Sequence, residues 1–334
     1  MLEDKSVSVK VWTEKVEGHG EDAPPLLIMK GDACAVGVFD GMGGSGAALC
    51  ESDYGKDYTK AYVASRIVAS SVDVFLNNHL PTADISVEDL KVVVKRRLDE
   101  EQEKYPPQTK SLLRSKLVRD YPTTLAIVTL QKQENTLQID SYWSGDSRCY
   151  LWTKDGFFQI SKDDLEEDND PMVNLRNDAA ISNCICGDRN FEINHKQIDV
   201  KKDPVIIMCA TDGCFGYFPT PMHFEYILKS SLQEAKDQMD WQKRIEKRIQ
   251  AVTGDDASLA LIGIGFETFK QVKSMANKQI QGFDKIKKHE SQIKKLKTEL
   301  EREKDIYILS IESGWMRYKK QYMMHINDEN NGDA

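Results

Sequence analysis

Three acidic positions stand at the ends of apolar runs in this chain. Ala35-Val36-Gly37-Val38-Phe39 runs into Asp40-Gly41-Met42-Gly43-Gly44, and Val205 to Ala210 runs into Thr211-Asp212-Gly213. Gly254-Asp255-Asp256-Ala257-Ser258 opens the run Leu259 to Ile264. Apolar, β-branched runs that stop at Asp-Gly read as buried strands entering tight turns. The glycines let backbone come close to whatever the carboxylates hold. A few carboxylates suit hard cations such as Mg²⁺ or Mn²⁺, which take oxygen ligands in octahedral geometry and keep several waters. Asp40, Asp212 and Asp255, with the Gly41 carbonyl, suffice for a two-metal site in which one carboxylate bridges. Such a site suits phosphoester hydrolysis: the ions hold phosphate oxygens and acidify a water that attacks phosphorus in line, with no serine or cysteine nucleophile. Asp-Gly is also ordinary turn chemistry, and spacing alone does not prove that the three ends converge.

The elements that would position these residues are many strands with helix pairs between them. Residues 6–16 alternate apolar and polar, as a half-buried strand does. Leu26 to Lys30 is a short strand, joined by a Gly31-Asp32 turn to the strand ending at Asp40. Tyr58 to Leu80 has helical spacing. Ser86-Val87-Glu88-Asp89 caps a second helix running to about Lys104, and a third is expected over Thr109 to Asp120. Strands are expected at Thr123 to Leu130, Leu137 to Ser144, Cys149 to Trp152, Phe157 to Ile160 and Phe191 to Val200. Met222 to Met239 and Trp241 to Val252 read as helices. Without strict βαβ alternation the fold class is α+β, with mostly antiparallel sheets packed together and flanked by helices.

The net charge of −9 argues against a general nucleic-acid binder. No apolar run is long enough for a membrane span, and Met1-Leu2-Glu3-Asp4-Lys5 lacks the features of a signal peptide. Seven cysteines, an odd number without a Cys-x-x-Cys pair, fit buried thiols in a reducing cytoplasm. Cys184-x-Cys186 has no partner pair at zinc spacing, so a strand with two inward thiols is preferred to a metal site.

The ordered set Glu21-Asp22, Val38 to Gly44, Thr123-Thr124, Gly145-Asp146-Ser147-Arg148, Ala210 to Gly213 and Asp255 to Ser258 resembles the metal-dependent serine/threonine protein phosphatases, the phosphatase 2C-like family. The match covers residues 6–265, and the Asp-Gly-Met-Gly-Gly form is like the bacterial branch. The resemblance implies a central β-sandwich of two mostly antiparallel sheets flanked by helices, with a dinuclear Mg²⁺ or Mn²⁺ centre at one end. Its substrate would be a phosphorylated protein, the product of a serine/threonine kinase. By the same resemblance Asp40 bridges the two metals, the Gly41 carbonyl binds one, and Asp212 and Asp255 are ligands of the other. Glu21 and Asp22 hold metal-bound waters. Asp146 with Asp212 matches a weak third-metal site, although Gly216 stands where some relatives have a further acid. Asp256 is the second choice after Asp255.

Two departures concern the phosphate. The eukaryotic type has an Arg just upstream of the Glu-Asp pair; here Lys15 or His19 takes its place, or the metals alone hold the phosphate. Met42 replaces the His proposed as general acid in that type, so leaving-group protonation passes to another group or a metal-bound water. Ser161 to Asn190 falls where the family has its variable flap, and its acidic run is a solvated loop or a preference for basic phosphopeptides.

The catalytic domain is expected over 1–265 and a helical C-terminal extension over 266–334. Ile286, Ile293, Leu296 and Leu300 form a heptad-like seam that breaks at Glu303. Trp315, Met316, Tyr318, Tyr322 and Met323 form an apolar face, either packed on the catalytic domain or serving as a docking or dimerising arm. An active phosphatase is the first functional reading. A non-catalytic phosphoprotein-binding module and a hydrolase of small phosphoesters are the others.

Overall fold

Residues 33–38, 205–210 and 257–264 are buried at every position. They are central strands covered on both faces, which is why they read as unbroken apolar runs. The computed structural model describes residues 6–50, 58–80, 85–105, 118–166, 170–175, 179–277 and 283–325. In chain order, β1 (Ser6–Thr13), β2 (Leu26–Lys30) and β3 (Ala33–Val38) precede the single turn α1 (Gly43–Gly46) and the short pair β4 (Leu49–Cys50) and β5 (Tyr58–Thr59). Helices α2 (Lys60–His79) and α3 (Val87–Lys104) lead to β6 (Leu125–Lys132), β7 (Thr136–Ser144), β8 (Arg148–Thr153) and β9 (Gly156–Gln159). Then come α4 (Pro171–Asn174), β10 (Asn194–Lys201), β11 (Val205–Ala210), α5 (Asp212–Phe215), α6 (Pro221–Glu234) and α7 (Gln238–Gln250). β12 (Ala257–Ile264), α8 (Phe269–Asn277) and α9 (Asp284–Tyr322) complete the order.

One sheet has the order β1-β12-β11-β8-β9 and the other β10-β7-β6-β3-β2, and the pairs in both are antiparallel. The expected α+β sandwich of two antiparallel sheets flanked by helices is the observed fold. Val36, Val128, Leu151, Ile207 and Ile262 meet between the sheets. Val68, Val72 and Leu76 of α2 and Leu90, Val94 and Leu98 of α3 pack with Phe39 and Ile127 outside the second sheet. Burial at about 1.5–3 kcal/mol per large apolar side chain is what holds these layers together.

Antiparallel pairing also brings the acidic ends together. The end of β11 pairs with the start of β12, Ala210 opposite Leu259. The end of β1 lies beside the same start, Thr13 opposite Ala257. In the other sheet Val38 sits opposite Ala126, and Leu125 opposite Ser144. Asp40, Asp146, Asp212 and Asp255 therefore leave strands at one end of the sandwich.

Helix starts follow their caps. The Thr59 hydroxyl accepts from Tyr62 N–H and the Ser86 hydroxyl from Asp89 N–H. β1 stops at Thr13, short of the expected residue 16, because the Glu14 carboxylate turns the chain by accepting Gly18 and Gly20 N–H. The expected helix from Met222 to Met239 is broken after Glu234, where Asp237 caps α7. Residues 109–117 of the expected third helix lie outside the described residues, and Arg119 and Asp120 are not helical. Residues 167–169 of the acidic loop and the tail from 326 also lie outside them.

The chain divides into two units, Met1–Ile280 and Gln281–Ala334. α8 belongs to the first, beyond the boundary expected at 265: Val272 and Ala276 are buried and Lys273 Nζ donates to Ala235 O at 2.7 Å. α9 is a single helix in the second. Among the described residues, no helix is long and apolar enough to cross a membrane.

Trp241 joins α6, α7 and α8. It is fully buried, its Nε1–H donates to Leu228 O at 3.2 Å, and its ring lies 6.2 Å from that of Phe269. Trp241→Ala should lower the unfolding free energy of the first unit by about 3–5 kcal/mol, measured by urea denaturation. A loss below about 1 kcal/mol would contradict this packing role.

Candidate metal centre

Each acidic strand end is fixed by its backbone. Asp40 O accepts Thr124 N–H at 2.8 Å and Thr123 Oγ1–H at 2.7 Å, while Asp40 N–H donates to Thr124 Oγ1 at 3.2 Å. Thr124 Oγ1 also meets Ser147 Oγ at 2.7 Å, which ties the Asp40 turn to the Gly145-Asp146-Ser147 turn. Thr211 Oγ1–H donates to Asp22 Oδ2 at 2.8 Å and accepts Ser258 N–H at 2.9 Å. The glycines are required by close approach. A Cβ on Gly43 would stand 1.7 Å from Glu21 Oε2, and one on Gly213 would stand 1.8 Å from Asp256 O. The Asp-Gly pairs thus let one acidic loop lie against the next.

The site is a cavity of about 480 Å³ lined by the acids Glu21, Asp22, Asp40, Asp146, Asp212 and Asp255, with Asp256 beside them. The residues singled out for metal binding therefore meet in one place. Asp22 is 2% exposed, while Asp40 and Asp212 are half-buried beside it in the cavity lining. Burial, then the charges of Asp22, Asp212 and Asp146, push the Asp40 carboxyl well above the usual carboxylate range. Asp22 is driven up by burial and then by Asp212, against the Thr211 hydrogen bond. Asp212 is raised by burial and by the Asp255 charge. Asp146 is raised by burial and by Asp212 to about 8.

Asp256 differs from its neighbour. Its oxygens accept Lys15 N–H at 2.7 Å and Glu21 N–H at 2.6 Å. Both are occupied in holding the Lys15–Glu21 loop, whereas the Asp255 side chain is 51% exposed with Lys15 Nζ 4.0 Å away. The Glu21 carboxylate accepts Thr59 Oγ1–H at 2.6 Å. Of the two expected phosphate contacts, Lys15 lines the cavity; His19 does not, and its exposed ring faces Tyr58 at 6.0 Å. Arg148 is buried in a bidentate pair with Asp163, with Nε–Oδ1 3.0 Å and Nη2–Oδ2 2.6 Å, and stacks over Phe215. It braces the turn that carries Asp146.

The two arms of the flap pair with each other. Leu165 bridges Ile181, Glu166 N–H donates to Ala180 O at 2.9 Å, and Ser182 N–H donates to Asp164 O at 2.9 Å. Ala179, Ala180 and Ile181 line the cavity. Asp164 Oδ2 accepts Gly145 N–H at 3.1 Å and Asn183 Nδ2–H at 2.7 Å, which anchors the flap to the Asp146 turn.

Sequence reasoning missed Arg66 of α2. Its guanidinium lies over the Tyr62 ring at 3.4 Å, and its Nη2 donates to Gly20 O at 2.9 Å. With Ser65, whose Oγ–H donates to Glu21 O at 2.6 Å, it holds the Glu21-Asp22 backbone. The Tyr62 and Arg66 spacing of one helical turn was the only local signal.

The donors fit hard divalent cations. They are oxygens only, they line one cavity, and they repel one another unless a cation or a proton lies between them. Among the described residues no three acidic, His or Cys side chains yet converge as a finished cation site. Ions that keep several waters need few direct protein ligands. The seven cysteines are all buried thiols. Cys184 and Cys186 flank the isolated bridge at Ile185 rather than lying in the expected strand; Arg119 donates to Cys184 Sγ, and Cys186 Sγ–H donates to Arg189 O at 4.0 Å.

A family model described as Protein phosphatase 2C matches residues 18–257, more than half of the chain. The chain belongs to the protein phosphatase 2C family. Among solved structures, it is similar to the Mycobacterium tuberculosis serine/threonine phosphatase PstP/Ppp, with 14% identity, TM-score 0.53, and coverage of 78% of this chain and 99% of that one. A structure of the PstP catalytic domain in complex with two manganese ions matches at 16% identity and TM-score 0.52, covering 78% and 98%. The Staphylococcus aureus phosphatase Stp1 matches at 14% identity and TM-score 0.54, covering 79% and 96%. At these identities the likeness is one of fold. No curated protein matches the sequence.

The raised carboxyls bind protons more tightly folded than unfolded. Their contribution to stability is fully present below the ordinary value of 3.8 and is lost as pH rises through the folded values, up to about 8 for Asp146. The metal-free protein should therefore lose thermal stability between about pH 5 and 8, and Mn²⁺ should restore it most at the alkaline end. Asp40→Asn should raise the metal-free melting temperature by roughly 2–6 °C and remove most of the Mn²⁺ response. Calorimetry across pH checks both, and a Mn²⁺ response unchanged in Asp40→Asn contradicts the assignment.

Proposed function

We propose that this chain is a Mg²⁺- or Mn²⁺-dependent serine/threonine phosphoprotein phosphatase. The observation that carries the reading is the cluster of mutually repelling carboxylates that lines one open cavity at one end of a protein phosphatase 2C fold. A module that only bound phosphoproteins would have no physical need for such a cluster. Asp40 would bridge two ions, the Gly41 carbonyl would bind one, and Asp212 and Asp255 would bind the other. Glu21 and Asp22 would hold coordinated waters, and Asp146 with Asp212 would offer a weak third position. When bound, the ions neutralise phosphate oxygens and lower the pKa of a water for direct attack on phosphorus, with no covalent enzyme intermediate. The manganese reported with PstP supports this choice of metal.

The remaining roles fall to this chain's own residues. Asp256 holds the loop from Lys15 to Glu21 through its two backbone hydrogen bonds. Lys15 supplies the one basic side chain lining the cavity among the described residues and would contact the substrate phosphate. Ala179 to Ile181 of the flap would border the substrate peptide. The resemblance of Asp40 to Gly44 to the bacterial branch supports a bacterial setting, reversing serine/threonine kinase signalling. Seven buried thiols and a net charge of −9 support a cytoplasmic protein that engages neither nucleic acid nor membrane.

Hydrolysis of a phosphothreonine peptide should require Mn²⁺ or Mg²⁺ and exceed hydrolysis of a small aryl phosphate. Asp40→Asn and Asp212→Asn should each lower kcat by about 100-fold or more, and Asp256→Asn by about 10–100-fold. Steady-state phosphate release measures all of these. Turnover that needs no metal, or that survives both ligand substitutions, contradicts the reading.

A further inference from the structure

α9 runs 39 residues from Asp284 to Tyr322 as one helix, about 58 Å long. Its apolar stripe does not end at Glu303. At about 100° per residue, Ile286, Ile293, Leu296, Leu300, Tyr307, Ile308, Ile311, Trp315, Tyr318 and Tyr322 fall within one arc of about 120°. The eight from Leu296 onward are each between 43% and 67% exposed. Among the described residues of its unit, α9 is the only element, so the stripe has nothing there to pack on. From Leu296 to Tyr322 the stripe is a narrow, straight band about 39 Å long. The partner that matches it in length and pattern is a second α9.

The charges beside the stripe choose the direction. Glu301, Glu312 and Lys319 lie on one flank, and Glu303 and Arg317 lie on the other. In a parallel, in-register pair each flank meets the opposite flank of the partner, which sets Glu303 against Glu301 and Arg317 against Lys319. In an antiparallel pair each flank meets its own equivalent with the order reversed. Placing Ile308 beside Ile311 of the second copy then sets Leu300 beside Tyr318 and Leu296 beside Tyr322. In that register Glu301 faces Lys319, Glu303 faces Arg317, and Lys304 reaches the Trp315 ring, where a cation is attracted.

We propose that this protein self-associates through α9 as an antiparallel helix pair centred between Ile308 and Ile311. Eight half-exposed side chains per copy, at roughly 100 Å² each, would bury about 1,600 Å² in total, the size of a stable interface.

Light scattering on the full chain at about 50 µM should give the mass of a dimer. The double reversal Glu301→Lys with Glu303→Lys should give a monomer. Adding Arg317→Glu and Lys319→Glu to the same chain should restore the dimer. These side chains are solvent-facing, so the substitutions spare the fold. For direction, mild oxidation of a mixture of Leu300→Cys and Tyr318→Cys proteins should yield the mixed disulfide, while Leu300→Cys alone should not cross-link. A monomeric wild type, a dimer indifferent to the reversals, or self-linking of Leu300→Cys would each overturn the proposal. None of these readouts depends on phosphatase activity.

Discussion

Repulsion among carboxylates crowded around one cavity is the constraint on which this structure turns. Asp22, Asp40 and Asp212 line the same cavity, where partial burial and one another's charge raise their carboxyls above the usual range. Left charged, such groups would push the strand ends apart. A proton or a divalent cation relieves the strain, and only the cation persists at neutral pH without loss of the carboxylate form. A function for the cavity then follows from what cations held in that way can polarise.

The sandwich makes the repulsion tolerable. Central strands β3, β11 and β12 are buried on both faces, so their ends cannot drift. Hydroxyl and backbone clamps complete the restraint. Thr123 and Thr124 hold Asp40, Thr211 holds Asp22, and the Asp256 carboxylate ties the Lys15–Glu21 loop to the start of β12. The paired arms of the flap are fixed at their base through Asp164, and Arg148 is sequestered by Asp163. Charge at the centre is thus balanced against hydrogen bonds made just outside it.

Much of this was legible in the sequence. Apolar runs ending in Asp-Gly identified central strands and their acidic ends, and antiparallel pairing brought those ends together. Helix starts at Thr59 and Ser86 follow local capping, which a linear reading can see. Non-local contacts were not legible. Asp255 and Asp256 both line the cavity, and what separates them is that the Asp256 carboxylate is taken up by the amides of Lys15 and Glu21, more than 200 residues away in sequence. The structural role of Arg66 depends on a loop 45 residues upstream, and the Tyr62 spacing in its own helix shows the stacking but not that contact. His19 was grouped with Lys15 by neighbourhood, yet the turn made by Glu14 carries it away from the cavity. α8 reads as part of the extension by composition and belongs to the first unit by packing.

The central claim is that the carboxylate cluster exists to hold two divalent cations. Anomalous diffraction at the manganese edge from crystals soaked in Mn²⁺ tests it most directly. The account predicts two strong peaks, one shared by Asp40 with Gly41 and Glu21-Asp22, the other by Asp40 with Asp212 and Asp255. Absence of peaks at full soaking, or peaks only at other acidic surfaces, would contradict it.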